Sequence, residues 1–224
     1  MNMPSTMYTG EVVPGGPSDL RELPGLQIRK CSVGDLDNNC YLLTCTGTGE
    51  QLLVDAADDP KRLLRLVEEG TGRLSTIVTT HRHHDHVRAL NDLASMTGAT
   101  TMAGRYDADA LPLLPGRRLA QGDEIELGRQ VLRAVELRGH TPGGIALVWR
   151  EPAGRTHVFT GDSLFPGGVG KTPTPEDFRS LMDDVEERIF AEYGDDTWVY
   201  PGHGKDTTVG AERENLPQWR ERGW

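Results

Sequence analysis

Apolar positions along this chain fall into short runs separated by clusters of Gly, Asp, Asn and Thr. LQIRKCSV (26–33), CYLLTC (40–45) and QLLVDA (51–56) are three such runs, divided by GDLDNN and TGTGE. Runs of this length with turn residues between them predict an antiparallel meander of three strands. The period changes after Pro60, where Leu63, Leu66 and Val67 share a helical face and Gly70 stands near the end, so a helix is expected there. STIVTT (75–80) is the next strand, residues 87–96 read as a helix closed by Gly98, 100–102 as a short strand and 107–113 as another helix. EIEL, VLRAVEL, IALVW and HVFT are four further strands; Phe178, Leu181, Met182, Val185 and Ile189 form a helical stripe started near Pro175, and TWVY is a last strand. Two successive sets of strands, each accompanied by helices, predict a sheet-on-sheet core with helices outside.

Residues 1–25 carry four prolines and four glycines and are expected to form an extended arm, leaving residues 26–224 as a single domain. Acidic residues outnumber basic ones 34 to 24 and no basic stripe is present, which argues against nucleic acid as a partner. Cys31, Cys40 and Cys45 lack the C-x-x-C spacing of a metal site and read as buried thiols of a cytoplasmic protein. The start of the chain has neither a basic cluster nor an apolar segment, and IALVW (145–149) is far too short to span a bilayer, so no membrane partner is expected.

Four of the strands run directly into residues able to bind a metal. STIVTT leads into HRHHDH (81–86), VLRAVEL into Arg138-Gly139-His140, HVFT into Gly161-Asp162, and WVY into Pro201-Gly202-His203. Strand ends sharing one sheet edge hold short loops toward a common point. Glycine precedes the candidate ligand in three of the four, as tight turns or close backbone approach require. Imidazole and carboxylate donors suit zinc, and iron or manganese accepts the same set. His81 and His83 can face one ion with His140, while Asp85 and His86 face a second with His203, and Asp162 would bridge the two. His84 and His157 read as ordinary surface or core histidines. The cluster is not H-E-x-x-H, which excludes a thermolysin-type protease. GGVGKT (167–172) is expected to be a loop beside the metals rather than a phosphate loop, because Phe165 stands where Walker A needs glycine and Pro173 and Pro175 follow. Lys171 on that loop is a candidate for touching an anionic substrate. Trp198, Trp219 and Trp224 read as packing residues.

THRHHDH (80–86), GHTPGG (139–144), TGDSLF (160–165) and YPGHG (200–204) together resemble the metallo-β-lactamase superfamily, and within it the glyoxalase II-like (hydroxyacylglutathione hydrolase-like) hydrolases. The resemblance implies an α/β four-layer αββα sandwich of two mixed sheets flanked by helices. It also implies that His81, His83, Asp85, His86, His140, Asp162 and His203 are the ligands of a two-metal hydrolase site. Asp55 resembles the acid that supports the ligands from behind, although a strand-end turn residue fits it equally well. Two departures bear on the substrate: Gly144 stands where close relatives of glyoxalase II often carry a histidine, and about twenty residues follow His203, too few for the helical domain that grips glutathione.

The expected function is therefore that of a metal-dependent hydrolase of small molecules, with two divalent ions, zinc first, delivering hydroxide to an activated acyl carbon. Asp85 is the candidate catalytic residue, ligating and orienting or accepting the water proton. A thioester of a small thiol is favoured, because a thiolate leaves with little protonation help. A lactonase or other small-ester hydrolase would use the same ligands, and a persulfide dioxygenase would use one iron. A metallo-nuclease or a non-catalytic binding module fits the residues less well.

Overall fold

The computed structural model describes residues 8–223. Its first half contains β1 (Asp19–Leu23), β2 (Leu26–Val33), β3 (Asn38–Cys45), β4 (Gln51–Val54), α1 (Pro60–Glu69), β5 (Leu74–Thr79), α2 (Leu90–Thr97), β6 (Thr100–Gly104) and β7 (Arg117–Leu119). These strands make a seven-stranded sheet in chain order, antiparallel from β1 to β4 and parallel from β4 to β7. The second half contains β8 (Glu124–Leu127), β9 (Gln130–Glu136), β10 (Ile145–Arg150), β11 (Thr156–Gly161), the hairpin β12 (Leu164–Phe165) and β13 (Gly168–Val169), and α3 (Pro175–Val185), which runs on into a π-helical turn at Glu186–Phe190. It ends with β14 (Trp198–Pro201), β15 (Thr207–Thr208), α4 (Val209–Arg213) and α5 (Leu216–Arg222). The second sheet has the order β15-β14-β11-β10-β9-β8, with β11 and β14 parallel.

Side-chain alternation sorts the apolar residues into three layers. Tyr41 and Leu43 of β3 join Ile28, Leu52, Leu132, Leu147, Phe159 and Tyr200 between the sheets. Cys40 and Leu42, one position out of phase on the same strand, pack outward against Leu63 and Leu66 of α1 and Leu90 and Leu93 of α2. On the far side, Val135, Val148 and Val199 meet Phe178, Leu181 and Met182 of α3. A central strand buried on both faces is what a helix-sheet-sheet-helix stack demands, and the αββα sandwich follows. Local signals start the helices where expected: Asp59 caps α1 by accepting from Arg62 N (3.0 Å), and Thr174 caps α3 by accepting from Asp177 N (3.1 Å), each with proline at the first helical position.

The sheet begins inside the segment expected to be an arm. Residues 19–23 pair with β2 through a tight Pro24-Gly25 turn in which Gly25 takes φ +93°, a conformation only glycine adopts freely. Residues 1–7 of that segment, and Trp224, lie outside the described residues. The helix expected at 87–96 starts at Leu90, because Arg88 N and Ala89 N donate to Ala57 O and Ala56 O instead of joining a helical ladder. The helix expected at 107–113 is a single turn at Ala108–Ala110. Pro112 has no N–H to extend it, and the Asp107 side chain is committed elsewhere. Trp219 is buried under the second sheet, and the Arg21 guanidinium stacks on Trp198 at 3.7 Å. Cys31, Cys40 and Cys45 are buried free thiols. Among the described residues no helix is long and apolar enough to cross a membrane.

Leu147 is fully buried between the sheets, so Leu147→Ala is expected to cost about 2–5 kcal/mol. Urea unfolding followed by circular dichroism checks this, and a loss well under 1 kcal/mol would mean that the inter-sheet layer is not close-packed.

Candidate metal centre

Parallel pairing of β11 with β14 sets Gly161 beside Pro201, so the residues just beyond, Asp162 and His203, emerge at the same edge. β5 ends at that edge too: Ile145 N, at the start of β10, donates to Thr80 O (2.9 Å) and locks the HRHHDH loop to the second sheet. The start of β3 closes the ring, with Asn39 N donating to Gly202 O (2.7 Å). Strands from both sheets thus aim their loops at one point.

There the candidate ligands fall into two groups. The ligand atoms of His81, His83 and His140 lie within 4.8 Å of one another, and so do those of Asp85, His86 and His203. Asp162 stands between the groups, with Oδ2 3.6 Å from His140 Nε2 and 3.5 Å from His203 Nε2, and Oδ1 3.3 Å from His86 Nε2. A third overlapping group joins Asp55 to His81 and His86. His84 is exposed outside the cluster. His157 is fully buried far along β11, held by Tyr200 OH and Glu151 Oε1 at 2.8 Å each.

Each of four imidazoles has its Nδ1 held from behind. His140 Nδ1 donates to Lys171 O (2.6 Å), His203 Nδ1 to Leu36 O (2.8 Å), His86 Nδ1 to Asp55 Oδ2 (2.9 Å), and His81 Nδ1 to Thr80 Oγ1 (3.0 Å). In the neutral ring, a proton fixed on Nδ1 leaves the Nε2 lone pair facing the centre, the arrangement that metal-binding histidines require. Asp55 is both a strand-end residue and a support: it sits at φ +60° just after β4 and also accepts from Thr80 N (2.7 Å) and Thr80 Oγ1 (2.7 Å). His81 Nε2, His140 Nε2 and Asp162 Oδ1 are buried with no hydrogen-bond partner among the described residues. Leaving buried acceptors unpaired costs about 1–3 kcal/mol each, so this donor set fits cations.

The backbone leaves no room for larger residues. A Cβ on Gly202 would overlap Asp162 Oδ1, and one on Gly170 would overlap Asp162 O. GGVGKT forms β13 and the loop against which His140 rests, with no helix before Pro175. A cleft of about 210 Å³ opens over His83 and His140, edged by Lys171, Thr172 and Pro173.

Charge is unevenly placed. Burial pushes His81 well below the usual imidazole range, and neighbouring His86 adds to this. Burial also opposes the His86 imidazolium, but the Asp162 carboxylate 3.3 Å away and the hydrogen bond and charge of Asp55 outweigh it and raise that group to about 10. Asp162 is buried as well, yet the His203 and His86 imidazoles beside it, 3.5 and 3.3 Å away, hold it well below the carboxylate range. Asp85 is held low despite partial burial because Asn38 Nδ2 donates to its Oδ2 at 2.9 Å.

Several residues of the site carried no sequence signal. Asn38 is fully buried in a turn-rich stretch, 3.3 Å from His86 Nε2 and 3.4 Å from His203 Nε2. Lys30, fully buried within β2, binds Asp206 Oδ1 (2.7 Å) and Gly204 O (2.8 Å) and so anchors the loop that carries His203. Asp107 binds backbone beside two of the ligand-bearing loops.

Residues 33–203 match the family model described as the metallo-beta-lactamase superfamily. The hydroxyacylglutathione hydrolase of Cereibacter sphaeroides is 38% identical over 60% of this chain, which spans about half (51%) of that relative's length. Hydroxyacylglutathione hydrolase GloC of Haemophilus influenzae is 29% identical over 74% of this chain and 85% of its own. Among solved structures, TTHA1623 in a di-iron-bound form is 33% identical, with a TM-score of 0.70 over 84% of this chain and 98% of that one.

Two outcomes are expected. Gly202→Ala forces Asp162 aside and should lower metal affinity at least about 10-fold, measured by chelator competition, while the far-ultraviolet spectrum stays unchanged. With His86 protonated at neutral pH, metal uptake at pH 7.5 should release a proton and strengthen as pH rises toward about 10. Calorimetric heats that do not vary between buffers of different ionisation enthalpy would contradict this.

Proposed function

Because the chain belongs to the metallo-beta-lactamase superfamily, we propose that it is a metal-dependent hydrolase acting on a thioester of a small thiol. The observation that carries the reading is that buried, unpaired His81 Nε2 and His140 Nε2 face inward in one three-residue group, with unpaired Asp162 Oδ1 between it and the Asp85, His86, His203 group. In this reading His81, His83 and His140 would hold one divalent ion and Asp85, His86 and His203 a second, with Asp162 placed between the two groups to serve either. The di-iron form of TTHA1623 supports two ions in this setting, and zinc, iron and manganese all suit the donors. When bound, such ions acidify a water toward neutral pH and polarise an acyl oxygen.

The protein's own groups do the rest. Asp85 is ionised at neutral pH, and Asn38 fixes one of its oxygens, so the carboxylate is placed to orient a water and accept its proton. The cleft over His83 and His140 admits a small acyl group edge-on, and Lys171 at its rim is placed to meet an anionic part of the substrate. A thiolate leaves readily because a free thiol has a pKa of about 8.5, so the site needs no dedicated acid for the leaving group. The names of the two hydroxyacylglutathione hydrolases support a thioester over a lactone or simple ester. GloC, most of which this chain covers, supports glutathione-type substrates. The proposed partner is a small molecule in the cytoplasm.

Elemental analysis of purified protein, paired with a panel of thioesters, lactones and glutathione persulfide with and without chelator, tests the proposal. Two ions per chain and chelator-sensitive thioester cleavage are expected; one iron with oxygen uptake on the persulfide would overturn it. Asp162→Ala should lower both metal content and turnover, the latter at least about 100-fold, and full activity in that variant would contradict the assignment.

A further inference from the structure

GHTPGG supplies His140, but Thr141, Gly143 and Gly144 have no part in the chemistry above. Their surroundings centre on Asp107, a fully buried carboxylate just after β6. Its Oδ2 accepts from Arg82 N (3.0 Å) and Thr141 Oγ1 (2.6 Å), and its Oδ1 accepts from Gly143 N (2.9 Å). Arg82 lies between His81 and His83, and Thr141 follows His140. One side chain therefore joins the two loops that carry all three histidines of the first group.

The approach is close enough to dictate residue types. A Cβ on Gly143 would overlap Asp107 N, and one on Gly104 would overlap Gly143 O. Arg82 is half-exposed, with Nε 3.8 Å from Asp107 Oδ1, and partly offsets the buried charge. Neither loop has a regular ladder at these positions, so Arg82 N and Gly143 N depend on this carboxylate for a partner. Hydrogen bonds to an ionised acceptor are roughly twice as strong as neutral ones. Metal sites tolerate ligand displacements of only about 0.5 Å, which such a tie limits.

We propose that Asp107 is a positioning residue for the ion held by His81, His83 and His140, setting the spacing of the two ligand loops without touching the metal. The proposal rests on the ligand assignment given above. It makes the ion of the first group depend on Asp107, while the ion held by Asp85, His86 and His203 does not.

The test uses the full chain loaded with zinc, and with cobalt for spectroscopy. For wild type, Asp107→Asn, Asp107→Ala and Thr141→Val, the affinity of each of the two ions is measured by chelator competition, and the cobalt absorption spectrum is recorded. Asp107→Ala should weaken one ion about 10–100-fold, leave the other unchanged and alter the cobalt bands of the weakened site only. Asp107→Asn, which keeps one acceptor oxygen, should fall between Asp107→Ala and wild type. If Asp107→Ala fails to fold, Thr141→Val, which removes a single hydrogen bond, carries the test with a smaller but equally selective weakening. Unchanged affinities, or equal weakening of both ions beside a lowered melting temperature, would overturn the proposal, since a merely structural tie would act that way. His83→Ala is the control and should lose the same ion that Asp107→Ala weakens. If His83→Ala keeps both ions, the ligand assignment fails and this proposal with it; if it loses one ion while the Asp107 variants keep both, only the role of Asp107 fails.

Discussion

Behind each of four inward-facing imidazoles stands an acceptor that holds the opposite ring nitrogen, and the surrounding fold is arranged to supply those acceptors. Asp55 comes from the end of β4, Thr80 from the end of β5, Leu36 O from the turn between β2 and β3, and Lys171 O from the loop after β13. They belong to four separate stretches of chain. They meet because β4 and β5 run parallel in one sheet and β11 and β14 run parallel in the other, so their C-terminal ends open toward the same place. Gly202 lets the backbone approach the Asp162 carboxylate, Gly170 the Asp162 carbonyl and Gly161 the Thr80 side chain, without a Cβ in the way.

That arrangement has an electrostatic cost, which the acidic residues offset unequally. His81 is buried among other imidazoles and resists protonation, whereas His86 lies between Asp55 and Asp162 and holds a proton up to about pH 10. For a group whose pKa is raised on folding, the stabilisation is full below its unfolded value of about 6.5 and is lost as pH rises through the folded one. In the metal-free protein, then, the His86 proton occupies part of the role that the cation set favours. A metal held at His86 Nε2 would displace that proton, which links loading to pH.

The strands and the two long helices were legible because their apolar residues repeat with period two or 3.6 over enough positions to stand out. β1 was hidden in a segment rich in Pro and Gly, whose Pro24-Gly25 pair is a hairpin turn and not a sign of irregular chain. β12, β13 and β15 span two residues each, too few for any periodicity. The candidate ligands were legible for a different reason: each follows a readable strand, usually after glycine. Asn38, Asp107 and Lys30 were not, because their roles come from pairings across the fold. Lys30 meets Gly204 across 174 residues, and nothing near either position announces the other. The expected helix at 107–113 failed for the same reason, since Asp107 spends its carboxylate on distant loops.

The central claim is that two ions sit in this centre, divided between the His81, His83, His140 group and the Asp85, His86, His203 group. Anomalous X-ray diffraction from crystals of the metal-loaded protein, recorded on either side of the metal absorption edge, tests it most directly. The account predicts two peaks, one beside each group and both within reach of Asp162. A single peak, or peaks away from these residues, would contradict it.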